Sequence, residues 1–370
     1  MTTLFDPLPL RSLMLRNRIG VSPMCMYSAT DGLVNDWHLV HLGRFATGGA
    51  GLVIAEATAV QAVGRITPSC AGIWSDEHIA PWARVTEFIS RHGAVPTLQL
   101  AHAGRKAATP EPWATGPRGT LPPDRRGWQP VGPSAVPFDA PNFATPTELT
   151  VSQIAELAED FIAAAGRAAQ AGFGMIELHA AHGYLLHSFH SPISNRRTDQ
   201  YGGALENRVR LLRSVVQRLR TPGSPWPQDR PIAVRISAVD DVEGGWSLED
   251  SVQLARWLKA DGVDLVDCSS GGISMQNGTV RTPREPGYQV PYAARVRAEA
   301  GIATAAVGGI TQPAQAQAII AEGKADVTLL AREMLRDPFW PVHAAAALGV
   351  PGAVRLPNQY DYWIGPPKSA

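Results

Sequence analysis

The sequence predicts a (β/α)8 barrel, on three observations. Eight short apolar stretches rich in β-branched residues recur along the 370-residue chain. Segments of helical period fall between them, so strand and helix alternate almost from end to end. No G-x-G-x-x-G fingerprint follows an early strand, which sets a doubly wound dinucleotide fold aside. Eight strand-then-helix units need about 250 residues at their core. Loops account for the remainder, and 1–370 reads as one domain.

The strand candidates are 18–22, 51–55, 95–100, 173–178, 232–236, 263–267, 302–306 and 325–329. Helical period is clearest over 77–91, 150–171, 205–220, 248–260 and 312–322. Thr150 with Gln153 reads as a capping pair, Gly172 as a stop, and Ser247 as a cap with Asp250 in the first turn. Pro313 suits the opening turn of its helix. Residues 103–149, rich in Pro, Gly and Trp with little periodicity, read as a long excursion after strand three.

Composition narrows the function classes. Lys+Arg and Asp+Glu both number 33, giving a formal net charge of zero. Nucleic-acid and membrane-surface partners, which call for a basic excess, are not supported. No run of about 18 apolar residues predicts a membrane span, and residues 1–11 do not resemble a signal peptide, so a cytoplasmic protein is expected. The three cysteines, Cys25, Cys70 and Cys268, are too few and too scattered for a disulfide framework, an iron–sulfur cluster or a structural zinc site.

In such a barrel the chemistry sits where the strands end. The run His179-Ala180-Ala181-His182-Gly183-Tyr184 places two imidazoles and a phenol at the end of strand four. A His pair can hold a developing oxyanion and a Tyr can deliver a proton; a polar loop of unrelated hydrogen bonds would look the same. His179 and His182 with His102 also have a zinc-like pattern, without an evident acidic partner. Carboxylates are scarce at the strand ends, Glu56 being the main one, which disfavours paired-acid hydrolysis. Arg235 at strand five suits an electron-rich group, while Gly308-Gly309 and Ala331-Arg332 stand where barrels bind phosphate.

Further motifs run in order along almost the whole chain. They include Leu15-Arg16-Asn17-Arg18, Ser22-Pro23-Met24-Cys25-Met26-Tyr27, Asp36-Trp37-His38 and Gly64-Arg65-Ile66-Thr67-Pro68. Gln99-Leu100-Ala101-His102-Ala103-Gly104-Arg105-Lys106 follows, then the His-Ala-Ala-His-Gly-Tyr run and Ser191-Pro192. Asn195-Arg196-Arg197-Thr198-Asp199, Tyr201-Gly202-Gly203 and Arg332-Glu333 with Leu335 and Asp337-Pro338 complete the set. In these the chain resembles the Old Yellow Enzyme family of flavin-dependent ene-reductases, in its thermophilic-like branch.

The resemblance implies a noncovalent FMN at the top of the barrel. Pro23, Met24 and Cys25 would line the isoalloxazine, Ala57 and Gln99 its polar edge, and Arg235 its N1/C2-oxygen side. Val307, Gly308, Gly309, Ala331 and Arg332 would hold the phosphate. It further implies a ping-pong reaction, NADPH reducing the flavin and the flavin reducing an enone or related electrophilic alkene. His179 and His182 would bind the carbonyl oxygen, Tyr184 would protonate the α-carbon and Tyr27 would line the substrate space. Cys25 would tune the flavin, whereas Cys70 and Cys268 match no such role. The tail, about 350–370, resembles a segment that reaches a neighbouring active site in a homodimer or homotetramer, with Trp363 as the intruding residue. Two departures are Val307, where a pocket Trp is found in the branch, and Ala331, where Gly is usual. The competing readings are a zinc-dependent hydrolase on the same barrel and a flavin-binding protein without turnover.

Overall fold

Eight parallel strands close into a barrel in the computed structural model, which describes residues 2–116, 118–275 and 285–364. They are β1 (Ile19–Val21), β2 (Leu52–Ala59), β3 (Val95–Ala101), β4 (Met175–Ala180), β5 (Ile232–Ser237), β6 (Leu265–Ser269), β7 (Ala303–Val307) and β8 (Val327–Leu330). Each pairs with its neighbours in chain order, and Leu329 opposite Gly20 closes the ring. The predicted strands are all present, with ends shifted by a few residues. Such strands are buried on both faces and read as unbroken apolar runs, so sequence marks their middles better than their ends.

The barrel is filled in layers. Leu52, Ile54, Met175, Ala233, Leu265, Ala305, Val327 and Leu329 form one inner cluster together with Leu8, Leu10 and Leu15. The last three belong to an N-terminal hairpin, Leu8–Leu10 against Leu13–Leu15, that the sequence reading did not anticipate. The apolar plug gives way toward the strand C-termini to Gln99, Glu177, His179, Arg235, Asp267 and Ser269, all buried. Polar chemistry is thereby confined to one end.

Outside the strands lie α1 (Asp36–Thr47), α2 (Ile79–Arg91), α3 (Val151–Gln170), α4 (Leu185–His190), α5 (Leu205–Arg208) and α6 (Arg210–Leu219). They continue as α7 (Leu248–Asp261), α8 (Val290–Ala300), α9 (Pro313–Ala321), α10 (Arg332–Arg336), α11 (Trp340–Ala347) and α12 (Asn358–Ile364). Thr150 with Gln153 and Ser247 with Asp250 form reciprocal capping boxes, each satisfying backbone N–H groups that the first turn leaves without partners. The single helix predicted over 205–220 is two, α5 and α6, joined through Val209. Residues 103–149 contain short turns at Gly104–Lys106 and Pro123–Arg125 and a small ladder pairing Val131–Gly132 with Thr147–Glu148. No helix of the described residues is long and apolar enough to cross a membrane.

Candidate functional site

His179 is borne by β4 itself, not by the loop after it, and its side chain is buried in the barrel mouth. The strand then turns sharply: His182 has φ +60° and Gly183 φ +73°, before Tyr184 caps α4. This turn folds the three rings together. The His179 and His182 centroids are 5.3 Å apart and those of His179 and Tyr184 5.0 Å, both pairs edge-to-face.

A backbone hydrogen bond assigns the His179 tautomer. Nδ1 of His179 accepts from the Ala181 N–H at 3.3 Å, which leaves the ring proton on Nε2. Nε2 of His182 lies 2.6 Å from Oγ of Ser269, and the His182 N–H donates to Oγ of Ser237 at 2.9 Å. Burial, reinforced by the Arg235 charge, holds both imidazoles well below their ordinary pKa, so they are neutral. Burial likewise raises the Tyr184 phenol, which stays protonated at any working pH.

After β1 the chain passes from buried to half-buried at residues 23–27, exposing one side of Pro23, Met24 and Cys25. Burial and then the nearby Glu56 carboxylate push the Cys25 thiol well up, so it is not a thiolate nucleophile. Tyr27 takes φ +50° and packs edge-on against Trp113 of the insertion, with centroids 5.6 Å apart. Glu56 is occupied: its Oε2 accepts from the Met26 N–H at 3.2 Å, and Oε1 lies 3.4 Å from Nε2 of His38. A bulge in β2 between Ala55 and Thr58 re-aims the strand where Glu56 and Ala57 reach the mouth.

Two acidic residues to which the sequence assigns no role sit beneath this layer. Gln99 donates from Nε2 to Oε1 of Glu177 at 2.7 Å. Arg235 places Nε 3.1 Å from Oδ2 of Asp267 and donates from Nη1 to Oγ of Ser22 at 3.2 Å. Neither carboxyl joins the His pair in a metal-binding group among the described residues; Asp267 is paired with Arg235, whose charge also acts on Glu177. Burial drives both carboxyls above the usual range, with the Asp267 charge adding to the effect on Glu177.

The phosphate end is built from backbone. Gly308 has φ +103° and Gly309 φ +66°, and a Cβ on Gly308 would stand 2.6 Å from Nε2 of Gln289. Gln289 also donates from Nε2 to the Val307 carbonyl at 3.0 Å. Ala331 opens α10, and exposed Arg332 has no ion-pair partner among the described residues. An unpaired guanidinium beside a glycine turn, an apolar wall and an amide–guanidinium edge fit a flat, phosphorylated cofactor carrying carbonyl groups.

Other predicted residues go elsewhere. His102 does not join the His pair, because Nε2 lies 3.1 Å from Oε1 of Gln61 and Nδ1 accepts from the Gly104 N–H at 3.0 Å. Trp363 on α12 is 80% exposed and stacks edge-on with Tyr362, so it is not an anchor on its own barrel. Of the predicted tail, 365–370 lies outside the described residues. The Asn195–Gly203 motif is a loop staple: Arg197 binds Asp199, Glu148 and the carbonyls of Pro133 and Leu149. Sequence reasoning assigns no role to Ser269, Ser237, Lys106, His187 or Asp240, most of whose partners are distant in the chain.

The family model described as NADH:flavin oxidoreductase / NADH oxidase family matches residues 3–349. An NADPH dehydrogenase of Listeria innocua is 46% identical over 363 residues, covering 98% of this chain and 99% of the relative. Morphinone reductase in complex with tetrahydroNAD superposes with a TM-score of 0.76 at 27% identity, over 98% of this chain and 94% of that one. An old yellow enzyme homologue from Zymomonas mobilis gives 0.75 at 26% identity, over 99% and 98%.

Proposed function

The chain belongs to the Old Yellow Enzyme family, and from that premise we propose that it is an ene-reductase acting on α,β-unsaturated carbonyl compounds. It is a flavin-dependent oxidoreductase with FMN as cofactor and NADPH as reductant. Hydride transfer, from the nicotinamide in one half-reaction and to the second substrate in the other, is the chemistry that bound FMN would supply.

The observation that carries the proposal is the three-ring cluster, with His179 5.3 Å from His182 and 5.0 Å from Tyr184. His179 donates through Nε2. In this proposal the Ser269 hydroxyl turns its proton to Nε2 of His182, and His182 carries its own proton on Nδ1 and donates from there. Two neutral N–H groups then converge on one carbonyl oxygen, draw charge from the β-carbon and stabilise the enolate-like transition state. Because neither imidazole is charged, nothing else in the mouth must compensate for them before the substrate arrives. Tyr184, kept protonated, delivers a proton to the α-carbon.

In this reading Pro23, Met24 and Cys25 flank the flavin ring without a covalent bond. Ala57 and Gln99 meet its polar edge, and Arg235 faces the side where negative charge develops. Val307, Gly308, Gly309, Ala331 and Arg332 hold the phosphate. Tyr27 contacts the ligand. Trp363, exposed on its own chain, enters the mouth of a neighbour in a homodimer or homotetramer. The substrate class is enones and related electrophilic alkenes.

The test is spectroscopic. Under anaerobic conditions the yellow protein should bleach with NADPH and recover its colour with 2-cyclohexen-1-one as cyclohexanone forms. Bleaching without recovery would leave a flavin-binding protein without turnover. A colourless, chelator-sensitive hydrolase would overturn the reading altogether.

A further inference from the structure

One peptide group in the mouth is held at both ends by ionisable side chains. The carbonyl oxygen of His182 accepts from Nζ of Lys106 at 2.7 Å. The N–H of Gly183, at the other end of the same peptide, donates to Nδ1 of His187 at 2.8 Å. His187 in turn has Nε2 2.9 Å from Oδ1 of Asp240. Oδ2 of Asp240 accepts from Oγ of Ser191 at 2.6 Å and from the Trp246 N–H at 2.7 Å. Accepting at Nδ1 places the His187 proton on Nε2, facing Asp240. A cation thus sits at the oxygen end of the peptide and a carboxylate, relayed through an imidazole, at the N–H end. Both charges act in the favourable sense of the peptide dipole.

This backbone needs holding. His182 lies in the left-handed region, uncommon for a residue with a Cβ. Gly183 packs so tightly that a Cβ there would stand 2.2 Å from the Gly272 carbonyl oxygen. Lys106 donates to that carbonyl too, at 3.2 Å, so one amine ties the loop after β4 to the loop after β6. Rotating the 182–183 peptide would break its bonds at both ends and free the backbone that carries the His182 ring.

We propose that Lys106, together with the His187–Asp240 pair, is a positioning device that locks the His182–Gly183 peptide and so aims the His182 imidazole at the substrate carbonyl. The proposal rests on the ene-reductase reading of His182. The Lys106 ammonium also stands 5.0 Å from the centroid of the Tyr184 ring and 4.3 Å from that of Phe138. A cation over the phenol favours its deprotonated form and so eases proton release from Tyr184.

The lock has a pH limit. Burial, and then the neighbouring Arg105 charge, push the Lys106 amine down to about 7. The other groups around it are His179 and His182, both neutral, and Tyr184, protonated; Asp240 acts on Arg105. As pH rises through neutrality Lys106 loses its charge. Its bonds to the two carbonyls weaken, since charge-assisted bonds are roughly twice as strong as neutral ones.

The experiment titrates the FMN-loaded protein with cyclohexanone, a saturated ketone that offers the carbonyl but no C=C to reduce, and follows the flavin spectrum. Lys106→Met, His182→Ala, the double variant and Asp240→Asn are compared, with flavin content and thermal midpoint as folding controls. Lys106→Met should weaken ketone binding about tenfold and flatten its decline on the alkaline side. The same substitution should have no further effect in the His182→Ala background, where there is no imidazole to aim. Unchanged affinity in Lys106→Met, or an equal loss with and without His182, would overturn the proposal. Should Lys106→Met fail to fold, the same cycle with Asp240→Asn decides it, with smaller losses expected. If His182→Ala itself binds the ketone normally, it is the ene-reductase reading that fails.

Discussion

Oγ of Ser269 sits 2.6 Å from Nε2 of His182, joining residues 87 apart in sequence across the barrel mouth. A short bond to a fixed hydroxyl holds the tilt of the imidazole. Ser269→Ala should leave FMN bound and lower the rate of flavin reoxidation by cyclohexenone about tenfold, the effect of losing one ordinary hydrogen bond. Stopped-flow reoxidation checks this. A rate equal to that of the unaltered protein would mean that the ring is held by other contacts.

Arg332 is exposed and unpaired among the described residues, beside a left-handed glycine turn. If it binds the cofactor phosphate, Arg332→Gln should weaken FMN about 10- to 100-fold, the worth of a hydrogen bond to a charged group. Excess FMN should then restore turnover. Quenching of flavin fluorescence on binding measures the affinity directly. An unchanged FMN affinity would move the phosphate elsewhere.

Glu177 is buried with its carboxyl raised by desolvation and then by Asp267. The folded protein therefore holds a proton that the unfolded chain releases above its ordinary value of 4.5. With more protons bound in the folded state, stability from this group falls as pH rises from that value through the raised one. Glu177→Gln, which mimics the protonated form, should gain thermal midpoint relative to the unaltered protein between about pH 5 and 8. A constant difference across that range would show that the carboxyl keeps one ionisation state throughout.

Asp267 shares the Arg235 guanidinium, with Nε 3.1 Å from Oδ2. Asp267→Ala should cost about 3–5 kcal/mol, because it leaves a buried cation without its partner. Denaturant unfolding of the variant measures the loss. A change below about 1 kcal/mol would show that Arg235 is satisfied by other groups.

These cases show what sequence carried and what it did not. The strands were visible because burial on both faces makes each an apolar run. The caps at Thr150 and Ser247 were visible because their partners lie three residues away. Glu177 and Asp267 carry no such signal: each is a lone acidic position inside an apolar run, and nothing local shows that it points inward. Lys106 stands within a motif without a legible role, since its acceptor on His182 lies 76 residues away and meets it only when the barrel closes. Helix α1 was missed because its capping box uses Asn35 with His38, where Glu or Gln is the usual partner.

In the proposed reaction the His pair and Tyr184 divide the work on the second substrate. The most direct measurement follows Tyr184→Phe through each half-reaction by stopped flow. Flavin reduction by NADPH should be nearly unchanged, because no protein proton is consumed there. Reoxidation by cyclohexenone should slow about 10²- to 10⁴-fold, the usual contribution of a positioned acid. Reoxidation at the unaltered rate, or equal slowing of both steps, would contradict the account.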